Sequence, residues 1–371
     1  MSKIIKSIFT GITLRVLPFF VTLLASQFLA KDDFELYSVF TLTTVIVTAP
    51  FVGAFGNYTS ANPNDISKHL YIVIAILSGL FATIMAIDYQ VSTFTSVSLS
   101  LIVVLGLMLR LHSISSLNDQ AYFSISILTI LLVAFFSLMI FKLDYKGYIG
   151  FLFLYSIMSI LIIIKFMLSR PNVIFNGNVN WRIFIKFLIV AFLGTPILAL
   201  VLKINNPTSD LEWITIFNAS YHWLTLTTVL PGILGSVLMR RAKDNNIIRR
   251  YYLAILALPA IFISLVIYLI SNVIPVLYPT LEPDVLSRTV VVFSFAGVFL
   301  ILYQGLQQLM MLQKNENRAI SIVMLFSVVA LVSAFFLGST TVANVGLILG
   351  CSYCISFVTF FSFNKFKIYE S

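Results

Sequence analysis

The side chains in this sequence that could do chemistry are polar groups set inside long apolar runs. Arg15 interrupts the first run, and Thr22 and Ser26 follow it at i+7 and i+11, which places all three on one face of a helix. If that helix enters a membrane near Ile8, Arg15 lies about 10 Å deep at a rise of about 1.5 Å per residue. The planar guanidinium fork suits a diphosphate because it forms bidentate, charge-assisted hydrogen bonds. The spacing therefore predicts an anion-binding face. The alternative is that Arg15 snorkels to the cytoplasmic headgroups.

The next apolar run carries a second polar face. Four of its residues recur at i, i+4, i+7 and i+11, which places them together on a helix. They are Tyr37, Thr41, Thr44 and Thr48. Polar groups in hydrocarbon need partners or water, so we expect this face to point inward. Two interpretations stay open: hydrogen bonding between helices, which is common for Ser and Thr, or lining of a wet cavity.

A third polar cluster lies in residues 217–246, "FNASYHWLTLTTVLPGILGSVLMRRAKDNN". Asn218, His222 and Thr225 are predicted to share one helix face, with Tyr221 and Thr228 beside it. The stretch is long and apolar enough to cross a bilayer, yet its first half is rich in polar side chains. The same two interpretations apply, and for Asn218 and His222 a wet cavity is favoured as much as helix packing.

Glutamine, cysteine and glycine pairs complete the set of candidates. Gln304, Gln307 and Gln308 could hydrogen-bond a polar ligand or neighbouring helices. Cys351 and Cys354 form a CxxC inside an apolar run with only three histidines in the chain, so apolar packing is expected there and no metal site is predicted. The GxxxG formed by Gly346 and Gly350 indicates either packing within the bundle or dimerisation.

Composition identifies the elements that must position these groups. The chain has 371 residues, of which 60% are hydrophobic and only 10% are charged, against about 25% charged in soluble domains. The mean hydropathy is +1.02. Apolar windows of about 20 residues, each enough to cross a bilayer, recur along the chain. The sequence therefore predicts an all-α polytopic membrane protein. Its net charge of +9 reflects membrane topology, and no nucleic-acid partner is expected.

About twelve transmembrane spans are predicted, joined by short connections. Their approximate ranges are 8–30, 34–56, 69–87, 92–109, 121–141, 147–169, 182–203, 212–239, 251–278, 288–312, 319–337 and 342–363. With a cytoplasmic N-terminus, 17 of the 23 basic residues fall in inner segments and five in outer ones. The positive-inside rule then places both termini in the cytoplasm.

An internal repeat divides the chain into halves. Residues 37–45, "YSVFTLTTV", and residues 221–229, "YHWLTLTTV", match at six of nine positions with an offset of 184 residues. This offset is nearly half the chain and equals six predicted spans. Two duplicated six-helix halves are a common transporter plan with the substrate handled between them. We therefore predict an N-terminal six-helix bundle over 1–175 and a C-terminal one over 176–371.

Three segments carry a resemblance to a known family. Phe217, Asn218, Trp223, Pro231 and Gly232, together with the small and polar residues between them, resemble the helix-eight signature of O-antigen flippases, the Wzx-type exporters of the multidrug/oligosaccharidyl-lipid/polysaccharide (MOP) superfamily. "LAKDDFELYSVFTLTTVIVTAPFVGAFGN" is similar to that family's first outer loop and second helix. "LYQGLQQLMMLQKNENRAISIV" is similar to its tenth helix and the following basic loop.

The resemblance implies two six-helix bundles arranged as a V that alternate between inward-open and outward-open states in the bacterial inner membrane. Its implied cargo is an undecaprenyl-diphosphate-linked oligosaccharide moved from the cytoplasmic to the periplasmic leaflet. Membrane lipids, a polysaccharide polymerase and a chain-length regulator are the implied partners. The candidate cavity residues are Arg15, Thr22, Ser26, Tyr37, Thr41, Asn218, Tyr221, His222, Gln304 and Gln308.

Two other classes of membrane protein are alternatives to a flippase. A multidrug and toxin extrusion transporter would share the fold, but usually binds cations through buried carboxylates, which this sequence does not place inside its spans. A membrane polysaccharide polymerase or acyltransferase would be an enzyme, yet the outer loops are short and no catalytic constellation is seen. No phosphate-binding glycine-rich loop is present, so no cofactor is expected. Coupling to a proton or sodium gradient stays open.

Overall fold

The computed structural model describes the following residues of the chain. They are residues 16, 19–20, 22–61, 73, 179–206, 210–313, 315–337 and 341–370. Arg15 and the spans predicted between 92 and 169 lie outside the described residues. The same holds for the span predicted at 69–87, apart from residue 73.

The regular structure of the described residues is helical. Residues 22–28 form a helical segment, and seven longer helices follow, which we number in chain order. They are α1 (Lys31–Ala61), α2 (Trp181–Asn205), α3 (Leu211–Asp244), α4 (Asn246–Ile270), α5 (Pro283–Leu312), α6 (Glu316–Leu337) and α7 (Val342–Glu370). A short 3-10 helix, Ile274–Leu277, lies between α4 and α5. Each of the seven coincides with a predicted span.

The span predicted at 251–278 is shifted at both ends in the structure. Helix α4 begins five residues earlier, because the Asn245 side chain accepts hydrogen bonds from the backbone N–H groups of Ile247 and Ile248 at 2.9 and 3.1 Å. It ends at Ile270, and Pro275 then starts the 3-10 helix. Proline suits the first turn of a helix, where its missing N–H needs no partner, and Pro275 occupies that place in the 3-10 helix. The regular α-helix thus ends although the hydropathy of the run continues.

The chain forms two compact units, Met1–Ala191 and Phe192–Ser371, with the boundary inside α2. We call them the N-terminal and C-terminal units. The two matched segments of the internal repeat lie in different units, in α1 and in α3. Each is therefore part of a long helix that contains an internal proline, Pro50 in one case and Pro231 in the other.

In the N-terminal unit, Tyr58 joins α1 to the first half of α2. Its ring packs edge-on against Phe184 and Phe187 at centroid distances of 5.4 and 5.9 Å. Its hydroxyl accepts a hydrogen bond from the backbone N–H of Asn180 at 2.9 Å, directly before α2 begins. An aromatic body in the core with a satisfied polar tip is the usual arrangement for a buried tyrosine. This contact fixes the end of α1 against the start of α2.

In the C-terminal unit, α5 is the central helix and packs against α3, α4 and α7. The GxxxG of α7 serves this packing. A methyl group added at Gly346 would lie 2.6 Å from Cδ2 of Phe293, and one at Gly350 would lie 3.3 Å from Cβ of Ala296. Both glycines therefore let α7 approach α5 within one chain. Of the two interpretations of this motif, packing within the bundle is the one the structure supports.

Four of the described helices contain a segment long and apolar enough to cross a bilayer. These segments are Asn246–Ile270, Pro283–Met311, Asn317–Leu337 and Val342–Ser362. Their outward faces carry large apolar side chains such as Phe262, Phe335 and Phe336. Such side chains are expected where a helix faces lipid, so the helical membrane class predicted from composition is confirmed for these segments.

Candidate functional site

Helix α3 carries two half-exposed stripes on opposite sides. Tyr221, Thr225, Thr228 and Gly232, spaced i, i+4, i+7 and i+11, are half-buried and form what we call the polar stripe. About 180° around the helix lies the leucine stripe, which consists of the half-buried Leu226, Leu230 and Leu234. The flanks between the stripes are buried, and the flank that carries Leu224, Thr227 and Gly235 packs against α4 and α5. Leucines suit lipid, whereas a threonine and tyrosine face does not, so the polar stripe is the side of α3 suited to water.

The threonines of this segment satisfy their hydroxyl hydrogens within α3. Thr225 donates to the carbonyl oxygen of Tyr221 at 2.9 Å, and Thr228 donates to that of Thr225 at 2.9 Å. The buried Thr227 does the same to Trp223 at 3.2 Å. Such bonds to the preceding turn are a known alternative for Thr in membrane helices. These three hydroxyls therefore donate within their own helix and not between helices, which was one of the two interpretations of this cluster.

Asn218 and His222 lie on a packed flank of α3 rather than on the polar stripe. Their exposed fractions are 1% and 5%, and both have interaction partners. The sequence placed them on the polar face and Tyr221 beside it, whereas Tyr221 is half-buried on the stripe itself. The reason is geometric: one residue turns the helix by about 100°, so His222 is rotated away from Tyr221 into the packed flank.

In the N-terminal unit, most of the described candidates are buried. Thr22, Ser26 and Tyr37 are buried, and the Ser26 hydroxyl donates to the carbonyl oxygen of Leu23 at 2.7 Å. Thr41 is half-buried, and its hydroxyl donates to the carbonyl oxygen of Ser38 at 3.1 Å. Thr41 corresponds to Thr225 in the repeat. Both threonines are half-buried, and each donates its hydroxyl hydrogen to a carbonyl oxygen in the preceding turn of its own helix.

The glutamines of α5 differ in their surroundings. Gln304 is exposed, whereas Gln308 is half-buried and tied to two neighbouring helices. The Tyr252 hydroxyl of α4 donates to Oε1 of Gln308 at 2.6 Å and lies 3.1 Å from the carbonyl oxygen of Gly235 in α3. A methyl group at Gly235 would lie 3.2 Å from that Oε1. The carbonyl end of Gln308 is thus engaged in holding three helices together, and Gln304 is the more accessible of the two.

An aromatic cluster that the sequence did not reveal lies beside the polar stripe. Tyr303 of α5, Phe326 of α6 and Tyr353 of α7 pack with centroid distances of 5.4, 5.3 and 4.6 Å, the shortest being the parallel stack of Phe326 on Tyr353. Helix α3, which carries Tyr221 of the polar stripe, also contacts α7, which carries Tyr353. We call these four residues the aromatic cluster. They are far apart in sequence, so only the fold brings them together.

The helices around the aromatic cluster are free of carboxylates along their length. Every Asp and Glu of the C-terminal unit lies within two residues of a helix end. These are Asp210, Glu212, Asp244, Glu282, Asp284, Glu316 and Glu370. Within the ranges that the structure describes, no three or more His, Cys, Asp or Glu side chains are grouped as metal ligands. The site can therefore offer rings, hydroxyls and amides, but no negative charge.

The cysteines of the CxxC are placed on the outer face of α7. Cys351 is exposed and Cys354 is half-buried, and both are free thiols. Cys351 lies between the exposed Leu347 and Ile355 at a spacing of four residues. Cys351 therefore lies among apolar side chains on the outward face of α7.

Comparison with known proteins identifies the fold. No protein-family model and no curated protein matches the sequence. Among solved structures, a multidrug resistance MATE family transporter of the MOP superfamily matches with a TM-score of 0.67 in its outward-facing conformation, at 11% identity over 99% of this chain and 95% of that one. Its inward-facing conformation matches with a TM-score of 0.67 at 10% identity over 99% of this chain and 94% of that one. The eukaryotic MATE transporter AtDTX14 matches with a TM-score of 0.66 at 12% identity over 99% of this chain and 98% of that one.

These similarities establish the fold, since they extend over nearly the whole of each chain. The chain has the fold of MATE family transporters of the MOP superfamily, which are polytopic helical membrane proteins. The transporter fold implied by the sequence motifs is therefore the fold that these neighbours share. At 10 to 12% identity, the similarity defines the architecture in which the polar stripe and the aromatic cluster are placed.

Proposed function

We propose that this protein is a flippase that moves an undecaprenyl-diphosphate-linked oligosaccharide from the cytoplasmic to the periplasmic leaflet by alternating access. The observation that carries the proposal is the polar stripe of α3, opposite a leucine stripe, in a chain with a MOP-superfamily fold. A sugar chain cannot cross hydrocarbon unassisted, because its hydroxyls would lose their hydrogen bonds to water. A wet protein surface can replace those bonds while the polyprenyl tail remains in lipid.

The chemistry of the polar stripe favours a neutral, hydroxyl-rich cargo over an organic cation. Its side chains are Tyr221, Thr225 and Thr228, and the helices of the C-terminal unit carry carboxylates only near their ends. A cation placed in a low-dielectric site without an opposite charge loses more hydration energy than it regains. The multidrug exporter is nevertheless the alternative that the structural neighbours favour, since the first of them is named for multidrug resistance.

The finer architecture belongs to the same proposal. We propose twelve spans in two six-helix bundles, 1–175 and 176–371, with both termini in the cytoplasm of a bacterium and the protein in its inner membrane. The asymmetry of basic residues supports this orientation. Reporter fusions after Lys68, Arg170, Asn245 and the C-terminus should give cytoplasmic signals, and fusions near Asp88, Asp144 and Asp284 periplasmic ones. A periplasmic C-terminus would contradict the twelve-span arrangement.

Partners and energy source follow from the cargo. The lipid-linked repeat unit and membrane lipids contact the protein directly, and a polymerase with its chain-length regulator would consume the product. Coupling to a proton or sodium gradient is one source of energy, and downhill removal of product is the other. Arg15, with Thr22 and Ser26, is proposed to hold the diphosphate. Of the remaining candidates, the half-buried Tyr221 and the exposed Gln304 are proposed to contact the glycan.

Deletion of the gene tests this function. Surface polysaccharide should be lost, and lipid-linked single repeat units should build up in the cytoplasmic leaflet, because assembly continues while export stops. The measurement is polysaccharide on gels together with the leaflet location of the extracted units. A plasmid copy of the gene is the control and should restore both.

Two other results would overturn the proposal. Repeat units that reach the periplasm and fail only to polymerise would indicate a polymerase. Unchanged polysaccharide combined with increased sensitivity to cationic drugs would indicate a multidrug exporter.

A further inference from the structure

We infer that the aromatic cluster of the C-terminal unit is a binding surface for a neutral sugar ring, with Tyr221 and Tyr353 as its contact residues. The inference rests on the proposed function. It adds to the residues proposed to contact the glycan a set of rings that the sequence motifs did not single out. Tyr221 was a candidate because of its place in α3, whereas Tyr303, Phe326 and Tyr353 were not candidates.

The cluster has a rigid inner layer and an accessible outer layer. Tyr303 and Phe326 are 4% and 1% exposed, whereas Tyr221 and Tyr353 are half-buried. Phe326 stacks on Tyr353 with an angle of 3° between the ring planes, which fixes the orientation of the outer ring. A tyrosine ring with a packed side and an accessible remainder is pre-organised for a ligand, so little conformational entropy is lost on binding.

Tyr221 is supported in a similar way by rings in α3 and α5. It stacks on Phe217 at 5.8 Å, and Phe217 packs edge-on against Phe293 at 5.3 Å. Trp213 stacks on the other side of Phe217 at 6.0 Å, so three rings one turn apart form a ladder along α3. The half-buried Tyr221 is the last ring of this ladder and lies on the helix that contacts α7. Tyr221 and Tyr353 are thus each held by buried aromatic rings.

The chemistry of this surface matches the two sides of a sugar ring. Sugar rings present C–H groups on their faces and hydroxyls at their edges, and tyrosine likewise has an apolar ring and a polar tip. Each phenol hydroxyl can donate and accept, and Thr225 follows one turn after Tyr221 on the polar stripe. Ligand sites in proteins commonly combine such aromatic walls with a few polar groups.

The same rings could attract a cation through their π-faces, so the experiment also includes a cationic ligand. A cation would have no carboxylate partner along the helices of this unit, since the acidic residues lie near the helix ends. A neutral ring needs no such partner. The absence of negative charge in these described helices therefore favours a sugar over a cation.

The experiment compares two lipids on the full-length protein in nanodiscs. One is the host's lipid-linked repeat unit, extracted from the deletion strain, and the other is undecaprenyl diphosphate, which lacks the glycan. The wild-type protein should bind the glycan-bearing lipid more tightly. Tyr221→Ala and Tyr353→Ala should each reduce that preference about 3- to 10-fold, in line with aromatic contacts of about 0.5–1.5 kcal/mol. Binding of bare undecaprenyl diphosphate should change less than about twofold.

Two further variants guard against effects on folding. Tyr353→Phe keeps the ring and its stack on Phe326, so it should retain most of the preference and the wild-type melting temperature. Tyr251→Ala removes a tyrosine that is 54% exposed on α4, and it should leave the preference unchanged. A loss of preference in Tyr251→Ala equal to that in Tyr353→Ala would overturn the assignment.

The remaining outcomes separate this inference from the proposed function. If the deletion strain accumulates repeat units but Tyr221→Ala and Tyr353→Ala keep the full preference, only the aromatic surface is refuted. If the strain accumulates none, the flippase function fails and the inference fails with it. Binding of tetraethylammonium that both alanine variants abolish would replace the sugar by a cation at this surface.

Discussion

Replacing Gly346 by valine is expected to prevent the C-terminal unit from folding, and replacing it by alanine is expected to lower its stability clearly. A methyl group at this position would lie 2.6 and 2.7 Å from Cδ2 and Cε2 of Phe293 and 2.9 Å from Cγ1 of Val292. Phe293 is fully buried and packs edge-on against Phe217 at 5.3 Å, so its ring has no free space into which to move. Overpacking of this kind typically costs about 1–3 kcal/mol. The melting temperature of the purified protein measures the effect.

Gly350→Ala is the matched control, one turn further along α7. Its added methyl group would lie 3.3 Å from Cβ of Ala296, a distance that a shift of a few tenths of an ångström relieves. It should therefore destabilise much less than Gly346→Ala. Combining Gly346→Ala with Phe293→Leu should recover part of the loss, because the ring that clashes has been removed. Equal melting temperatures for the two alanine variants, with a changed oligomeric state, would indicate a dimer interface instead.

Arg15→Ala is expected to abolish export while the protein still inserts at normal levels. The expectation rests on the sequence, since Arg15 lies outside the described residues. Loss of one charge-assisted contact of about 1.5–3 kcal/mol lowers affinity roughly 10- to 100-fold. Arg15→Lys should recover only part of the export, because an ammonium group keeps the charge but loses the bidentate fork. Complementation of the deletion strain, with immunoblots for protein level, measures both variants.

Lys6→Ala is the control for Arg15, since it also removes a positive charge from the N-terminal segment and is predicted to lie in the cytoplasm. It should leave export unchanged. Snorkelling of Arg15 predicts the opposite pattern for the test variants: Arg15→Lys would be fully active and Arg15→Ala nearly so, because lysine reaches the headgroups equally well. A fully active, normally expressed Arg15→Ala would remove this residue from the proposed site.

Much of the architecture could be predicted because a membrane helix is specified locally. Apolar length alone located each of the seven described helices, whereas the division into two six-helix bundles stays a prediction. Hydropathy could not locate the end of α4, because the helix ends at Ile270 inside a run that is still apolar. The role of Gly346 stayed open in the sequence, because small residues permit close approach without identifying the partner helix.

The candidate site was predicted only in part, because helical spacing gives a face but not its neighbours. Thr225 and Tyr221 were found through the polar pattern of α3. The burial of Asn218 and His222 was not, because helical spacing does not show which neighbours cover that flank. The aromatic cluster joins residues from α3, α5, α6 and α7, and Phe326 and Tyr353 look like ordinary apolar side chains in isolation. These residues come into contact only through tertiary packing, which cannot be read from a single sequence.

The hydrogen bonds of the polar stripe have a consequence for kinetics. Thr225 and Thr228 have already donated their hydroxyl hydrogens to their own helix, so each turns only lone pairs outward. A hydroxyl group that leaves Thr225 meets an equivalent acceptor at Thr228, about 4.5 Å further along the axis. Neither position is a deep energy minimum, because both offer the same single acceptor. We therefore expect such a face to shorten residence times and smooth the passage of a moving ligand, leaving tight holding to other groups.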